Sequence, residues 1–450
     1  MIRRVAIVGA GFSGTLQAIN LLRHDGPDAV LIERGPTPGK GLAYGAAHPS
    51  HLLNVRAANM SAFPDDPAHL VRWLEARGQV DAAAAFVPRV TYGEYLSELL
   101  DLARADAGRR LTVMRGEVER LDEGDGVTLH LADGTTVRAD AAVLAVGNLP
   151  PHDPPGLLPD TLPADGYKGD PWAPDVAAGL GPDDTVLVIG TGLTMVDVAL
   201  MLDARGFAGR IVALSRRGLL PRRHAAGKPV ADPLDQRPLT VASDLVRRLR
   251  ERSRTIGWRA AVDELRPFTQ AMWAHASEAE RGRFLRHLRP WWDVHRHRLA
   301  PAVADRLDTL QQSGRLTVVA GKTLAFDPAP GGVAVTWRPR GADTSERTVV
   351  RRIVNCTGPQ GDLSRTTEPL LAELAARGTI RADAARLGID VDGTARVIGA
   401  DGRPNDHLFA LGPMTRGAFW EIVAVPDIRT QTWALARRLS NAHWVGGEGL

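Results

Sequence analysis

The chain contains two copies of a strand, glycine turn and helix pattern, and this repetition restricts its fold more than any other feature. In the first copy the apolar run RVAIV (4–8) leads into a glycine turn and then an amphipathic helix. Gly9 permits the tight turn, Gly11 lets the backbone approach a pyrophosphate, and Gly14 lets helix and strand pack closely. The start of such a helix attracts phosphate through its free N–H groups. This pattern predicts a dinucleotide site.

An acidic residue completes the first copy. The next predicted strand, AVLIE (29–33), ends in Glu33. A carboxylate at this place accepts hydrogen bonds from ribose hydroxyls and repels a 2′-phosphate. The predicted first site consists of Gly9, Gly11, Phe12, Ser13, Gly14 and Glu33.

The second copy differs from the first at the ribose end. TVLVI (185–189) is followed by Gly190 and Gly192, with Met195 in place of the third glycine, and the next strand is followed by Arg216 and Arg217. Guanidinium groups pair with phosphate, which favours a 2′-phosphate here. The alternative is a turn with two solvated arginines. The predicted second site consists of Gly190, Gly192, Leu193, Thr194, Arg216 and Arg217.

Together the two copies predict an α/β protein with two Rossmann-like dinucleotide-binding domains, the first for FAD and the second for NADPH. We expect a split FAD domain, at 1–160 and 355–450, with the NADPH domain (161–354) inserted between its halves. The NADPH domain has a predicted insertion at about 222–310, first a loop (222–240) and then mostly helix. Transfer of a hydride from NADPH to a flavin requires two such sites.

Composition excludes several other classes of protein. The single cysteine, Cys356, cannot form an internal disulfide, a redox pair or a cysteine zinc site. The net charge is only +3, so nucleic acid is not an expected partner. No apolar run reaches the length of a membrane span, and the cytoplasm is the expected location. His295 and His297 would face opposite sides of a helix, so no metal is expected.

Four longer motifs carry a resemblance to a known family. They are GAGFSG (9–14), HLLNVRAANMSAFPDDP (51–67), LRPWWDVHRHRLAP (288–301) and GPMTRGAFWEIVAVPDIRTQ (412–431). The chain resembles the bacterial FAD/NAD(P)-binding proteins with two dinucleotide domains and, more distantly, the flavin-dependent N-hydroxylating and Baeyer–Villiger monooxygenases. The stretch 166–172 departs from those monooxygenases, because it lacks the histidine of their Phe-x-Gly-x-x-x-His signature.

The resemblance implies further contacts to the flavin cofactor. It places Val118 beside the adenine, Asn54 beside the isoalloxazine and Trp420 over the flavin from the C-terminal side. Gly147 and Gly412 end strands that would present their backbone to FAD. For Trp420 the alternative is an ordinary place in the core.

The resemblance also implies a reaction. We expect an NADPH-dependent monooxygenase that works through a flavin C4a-hydroperoxide with O₂, with N-hydroxylation of a small amine or amino-acid-like substrate as one form. One alternative is a reductase or dehydrogenase without oxygen transfer. The other is a flavin-binding regulatory protein whose NADPH site is vestigial, which the Met195 replacement keeps open.

Basic and aromatic residues crowd the segment 286–298 within the insertion. A helix would place Trp292, His295 and Arg296 on one side. One interpretation is a site for an anionic substrate formed by His295, Arg296 and Arg298, and the other is a solvated helix packed against the sheet. No catalytic residue is fixed by sequence, and the candidates are Asn54, Arg296 and Trp420.

Overall fold

The computed structural model describes residues 2–225, 238 and 240–440. Most of the predicted loop at 222–240 lies outside the described residues. The strands are β1 (Arg4–Val8), β2 (Asp28–Glu33), β3 (Leu111–Arg115), β4 (Val118–Glu123), β5 (Val127–Leu131), β6 (Thr136–Ala139), β7 (Ala141–Leu144), β8 (Tyr167–Lys168), β9 (Thr185–Ile189), β10 (Arg210–Ser215), β11 (Leu316–Ala329), β12 (Gly332–Pro339), β13 (Glu346–Val350), β14 (Arg352–Asn355), β15 (Arg396–Ile398) and β16 (Pro404–Ala410).

The helices alternate with the strands in the two sheets and form a continuous group in the insertion. They are α1 (Phe12–Arg23), α2 (Gly41–Gly45), α3 (His69–Glu75), α4 (Arg89–Ala107), α5 (Leu193–Ala204), α6 (Ala242–Ile256), α7 (Trp258–Leu265), α8 (Thr269–His275), α9 (Glu278–Arg283), α10 (Arg289–Arg296), α11 (Pro301–Gln312), α12 (Pro369–Arg377) and α13 (Val425–Leu439). A π-helical turn, Phe284–Leu288, joins α9 to α10.

The first sheet has the strand order β15-β16-β7-β1-β2-β3. Strand β1 pairs in parallel with β2 and β7, and its residues from Val5 onward are buried because helices cover this sheet. Helix α13 lies alongside α1, where the Asn20 amide donates a hydrogen bond to Thr432 Oγ1 at 3.2 Å. A small antiparallel sheet, β4-β5-β6, packs into the same core. This arrangement brings the C-terminal segment beside the first glycine turn.

The second sheet has the order β13-β12-β11-β10-β9-β14-β8. Strand β9 pairs in parallel with β10 and β14, and α5 and α11 supply much of the apolar core on one face. The chain enters this sheet after β7 and returns to the first sheet after β14, because β16 pairs with β7. The predicted fold class is confirmed: two Rossmann-like units with a mostly helical insertion, here α6–α10.

In the part of the chain that the structure describes, no helix combines the length and apolar character needed to cross a bilayer.

Candidate dinucleotide sites and the domain interface

The first glycine turn is fixed by close contacts between backbone atoms. Gly9 has φ +96°, and a Cβ there would lie 2.5 Å from the carbonyl oxygen of Ala145 on the neighbouring strand segment. A Cβ at Gly14 would lie 1.9 Å from the Gly9 carbonyl oxygen. Both positions therefore require glycine so that α1 can start directly against β1.

Gly11 and Glu33 are the residues that remain available to a ligand. Gly11 has an ordinary φ of −74°, and the nearest atom to a Cβ there would be Gly41 Cα at 3.6 Å. Packing does not demand glycine at this position, so close approach of a phosphate is the better reason for it. The Glu33 carboxylate accepts hydrogen bonds from the backbone N–H groups of Ala10 and Gly35, both at 2.7 Å. These bonds hold it beside the turn, as a ribose contact requires.

The other residues predicted for the first site lie at different depths. Gly412 has φ +77°, and a Cβ there would lie 2.5 Å from Ser13 Oγ, so the C-terminal strand end touches the α1 turn. Gly147 has φ +72° with open space around it. Phe12 is buried against Tyr92, and Val118 is the buried first residue of β4. The Gly412 contact supports the predicted meeting of the two halves of the FAD domain.

The second glycine turn keeps its geometry despite the lost third glycine. Gly190 has φ +114°, and a Cβ there would lie 2.1 Å from the carbonyl oxygen of the buried Cys356. Gly192 is exposed, with no atom within 4 Å of a Cβ position. Met195 is fully buried in the core under α5. The exposed start of α5 therefore remains open to a pyrophosphate.

The two arginines after β10 have different surroundings. Arg217 donates hydrogen bonds to the carbonyl oxygens of His287 (3.2 Å) and Arg286 (3.4 Å) in the π-helical turn. Arg216 is exposed and makes no hydrogen bond or ion pair through its side chain among the described residues. Arg216 is thus the arginine free to meet a phosphate, while Arg217 anchors the insertion.

A buried ion pair joins the two dinucleotide domains, and sequence reasoning missed it. Asp197, one turn into α5, is 7% exposed and lies 2.8 Å from Arg89 Nη2 at the start of α4. Burial raises the pKa of Asp197 to about 6, although Arg89 acts in the opposite direction. A single carboxylate inside the apolar run LTMVDVALML (193–202) was the available signal.

The motif at 51–67 strengthens the same interface. His51 Nε2 donates a hydrogen bond to the Asp197 carbonyl oxygen at 3.0 Å, and burial together with Arg89 lowers the pKa of His51 to about 4. His224 Nε2 donates to the Asn54 carbonyl oxygen at 2.9 Å. The Asn54 side chain makes no hydrogen bond in the described part of the chain, so its predicted flavin contact stays a prediction.

Trp420 lies in a cluster of aromatic rings. It is 6% exposed, stacks on Trp273 with ring centroids 4.6 Å apart, and meets the edge of Phe284. Trp273 Nε1 donates to the Gly417 carbonyl oxygen at 2.7 Å, which ties α8 to the C-terminal segment. These contacts favour the core interpretation of Trp420, and its role over the flavin stays a prediction.

The predicted substrate residues of the insertion do not converge on one site. Arg296 Nε lies 2.8 Å from the carboxylate of Glu421, to which Trp292 Nε1 also donates at 2.7 Å. Burial by itself would raise the pKa of Glu421, but Arg296 and His297 outweigh it and hold that pKa below its usual value. Arg296 is therefore already paired inside the protein.

The surroundings of Arg298 disagree most clearly with its predicted role in binding an anionic substrate. It is 3% exposed and donates to both oxygens of Asp263, at 2.9 and 3.0 Å, as well as to the His295 carbonyl oxygen. A guanidinium saturated in this way cannot clamp a substrate carboxylate without exposing a buried acid. Of the three residues predicted to bind substrate, His295 alone lines a cavity of the insertion, where it lies edge-on to Trp258.

Comparisons with known proteins agree with this geometry. Residues 6–149 match the model of a family described as FAD-NAD(P)-binding. A search of curated proteins finds no match.

Solved structures resemble the chain over almost its whole length. L-lysine 6-monooxygenase from Pseudomonas syringae has a TM-score of 0.66 at 16% identity, with 98% of this chain and 100% of that one covered. An ornithine N-hydroxylase from Kutzneria sp. 744 has a TM-score of 0.62 at 17% identity, with 98% and 100% covered. A thioredoxin reductase from Lactococcus lactis has a TM-score of 0.53 at 14% identity, again with 98% and 100% covered. Residues 6–149 are therefore similar to an FAD-NAD(P)-binding domain, and the chain as a whole shares its fold with these solved structures.

Proposed function

We propose that this chain is an NADPH-dependent FAD oxidoreductase, with FAD bound by residues 1–160 and 355–450 and NADPH by 161–354. One observation carries the proposal: two glycine turns of the same geometry end differently, the first in the fixed carboxylate of Glu33 and the second in the free guanidinium of Arg216. An acid suits an unphosphorylated ribose, and a cation suits a 2′-phosphate.

The residues of the chain bind and orient the cofactors, while FAD supplies the redox chemistry when it is bound. The start of α1 at Gly11 would hold the FAD pyrophosphate, and the start of α5 at Gly192 would hold that of NADPH. The Arg89–Asp197 pair joins α4 to α5 at 2.8 Å and so fixes the orientation of one site relative to the other.

For the reaction we propose monooxygenation with O₂, with a small amine or amino-acid-like compound as the class of substrate. The support is that the similar solved structures include an L-lysine 6-monooxygenase and an ornithine N-hydroxylase, the latter described with reduced FAD, NADP⁺ and L-ornithine. A thioredoxin reductase of the same fold supports the second candidate, a reductase without oxygen transfer. The open start of α5 argues against a vestigial NADPH site.

Rapid mixing distinguishes these functions. The FAD-loaded protein is first mixed with NADPH without oxygen, and the reduced protein is then mixed with O₂. Rapid bleaching, followed in O₂ by a transient species that differs from oxidised and reduced flavin, is the expected result for a monooxygenase. Bleaching with direct reoxidation indicates the reductase. An unbleached flavin would contradict the whole proposal.

Replacing Arg216 with alanine should reduce the preference for NADPH. Loss of a charged hydrogen bond to phosphate costs roughly 1.5–3 kcal/mol, which corresponds to about a ten- to hundred-fold fall in kcat/KM for NADPH. The rate with NADH should hardly change, because NADH lacks the 2′-phosphate. Anaerobic reduction of the flavin by each cofactor measures both values.

Arg217→Ala is the matched control for that variant. Because Arg217 holds the carbonyl oxygens of Arg286 and His287, its loss should lower the melting temperature and affect both cofactors alike. Equal losses with NADPH and NADH in Arg216→Ala would remove Arg216 from the phosphate site.

A further inference from the structure

The helical insertion encloses a cavity that the dinucleotide sites do not use. Its volume is about 640 Å³, within the range of pockets that hold drug-sized molecules. Helices α6–α10 form its walls, and Trp420 is the one wall residue that comes from the C-terminal segment. Five of the ten tryptophans of the chain line it: Trp258, Trp273, Trp291, Trp292 and Trp420.

Helix α6 presents an incompletely buried apolar face to this cavity. Leu245, Val246 and Leu249 follow helical spacing, line the cavity, and are only half-buried. Helix α6 has no fully buried residue at all. Trp291, which lines the cavity from α10, is 43% exposed. An apolar occupant would cover these surfaces, and their burial from water is favourable.

Polar side chains in the wall already have partners. Ser253 Oγ donates to the Leu249 carbonyl oxygen, and His295 Nδ1 donates to that of Trp291. Arg281 donates to the Trp273 and Ala274 carbonyl oxygens, and Glu280 accepts from the Ala242 N–H group. A ligand with many polar groups would lose its hydrogen bonds to water here without replacement, which disfavours it.

Two arginine side chains that line the cavity differ from these polar groups because they lack ion-pair partners. Arg250 and Arg254 lie on α6, line the cavity and are exposed, and neither makes an ion pair among the described residues. Two exposed, unpaired guanidinium groups in the lining of an apolar cavity complement an anionic group.

From these observations we propose that the cavity binds a small molecule with a bulky apolar body and an anionic head group, the body among the tryptophans and the head beside Arg250 and Arg254. Apart from Trp420, the residues that line this cavity do not belong to the predicted dinucleotide sites, and binding here requires no redox step. It replaces the sequence expectation of an anion clamp at Arg296 and Arg298, which are paired internally.

Binding can be measured with the oxidised, FAD-loaded protein without NADPH, so that failure of the proposed redox function leaves the result unaffected. The probe is 1-anilinonaphthalene-8-sulfonate, followed by its fluorescence and by quenching of tryptophan. Displacement is then compared for dodecanoate, dodecanol and dodecylammonium. We expect saturable binding of the probe, and dodecanoate should be the strongest competitor and dodecylammonium the weakest.

Two variants test the body and the head separately. Leu249→Trp fills the cavity and should weaken probe binding about ten-fold or more. The double variant Arg250→Glu/Arg254→Glu should weaken dodecanoate about three- to ten-fold and leave dodecanol unchanged. Arg109→Glu, at an exposed arginine of the FAD domain, is the control and should change neither. Flavin absorbance and melting temperature confirm that each variant is folded.

Three results would overturn the proposal. They are absence of saturable probe binding, unchanged binding in folded Leu249→Trp, and equal affinity for dodecylammonium and dodecanoate in the unaltered protein.

Discussion

Replacing Gly11 with valine should give a folded protein that contains no FAD. The backbone at Gly11 suits any residue, and a Cβ would have its nearest neighbour at 3.6 Å, so the fold tolerates a side chain there. The valine methyl groups would, however, occupy the space through which a pyrophosphate reaches the start of α1. The ratio of flavin to protein absorbance in the purified variant measures the loss, and circular dichroism verifies the fold.

Gly192→Val is the reciprocal variant, because Gly192 holds the same position in the second turn and also has open space around it. It should keep its FAD but show little reduction by NADPH. Gly14→Val differs from both: a Cβ 1.9 Å from the Gly9 carbonyl oxygen should prevent folding. Full retention of FAD by Gly11→Val would contradict the assignment of the first site.

Replacing Arg89 with methionine should destabilise the protein by about 3 kcal/mol at pH 7.5, because removal of one partner leaves a buried charge without compensation. The Asp197 carboxylate, 7% exposed, would lose its cation, so it must either stay ionised without compensation or take up a proton. Urea denaturation measures the free energy of unfolding. Arg34→Met is the matched control, because Arg34 is 55% exposed in its pair with Glu368 and such pairs contribute about 0–1 kcal/mol.

The effect of Arg89→Met should also depend on pH. The pKa of Asp197 is raised to about 6 in the folded protein, above its value of about 3.9 in an unfolded chain. The folded state therefore holds a proton that the unfolded state has lost, and the stability gained from it disappears as pH rises through about 6. At pH 5 Asp197 is mostly neutral, so the loss of Arg89 should cost less than at pH 7.5. Equal losses in the free energy of unfolding at pH 5 and pH 7.5 would contradict the raised pKa assigned to Asp197.

Local sequence was sufficient to predict both dinucleotide units. The glycines, the strand before them, the helix after them and Glu33 lie within one short stretch of chain, so chain geometry alone brings them together. The same holds for Gly190, Gly192 and Arg216. The sequence could not show which of Arg216 and Arg217 is free to bind a phosphate. Only the folded insertion provides the carbonyl oxygens that accept hydrogen bonds from Arg217.

Contacts between distant segments were beyond such reasoning. His51 and Asp197 are 146 positions apart, and Trp292 and Glu421 are 129 apart, so no spacing rule relates them. The crowded basic segment at 286–298 indicated an anion site by its composition, yet folding buries Arg296 and Arg298 against acids from other elements. Composition reports which charges are present but not which of them are neutralised.

By itself the sequence therefore determined the two Rossmann-like units, because these depend on neighbouring residues and on hydrophobic periodicity. The split of the first domain and the acidic and basic ribose ends remain predictions from the sequence. Only the tertiary structure decided that Asp197 and Arg89 join the domains, that Trp420 packs on Trp273, and that α6–α10 enclose an apolar cavity. Those features arise when side chains far apart in the chain leave water together, and the free energy of that step depends on partners that no local pattern encodes.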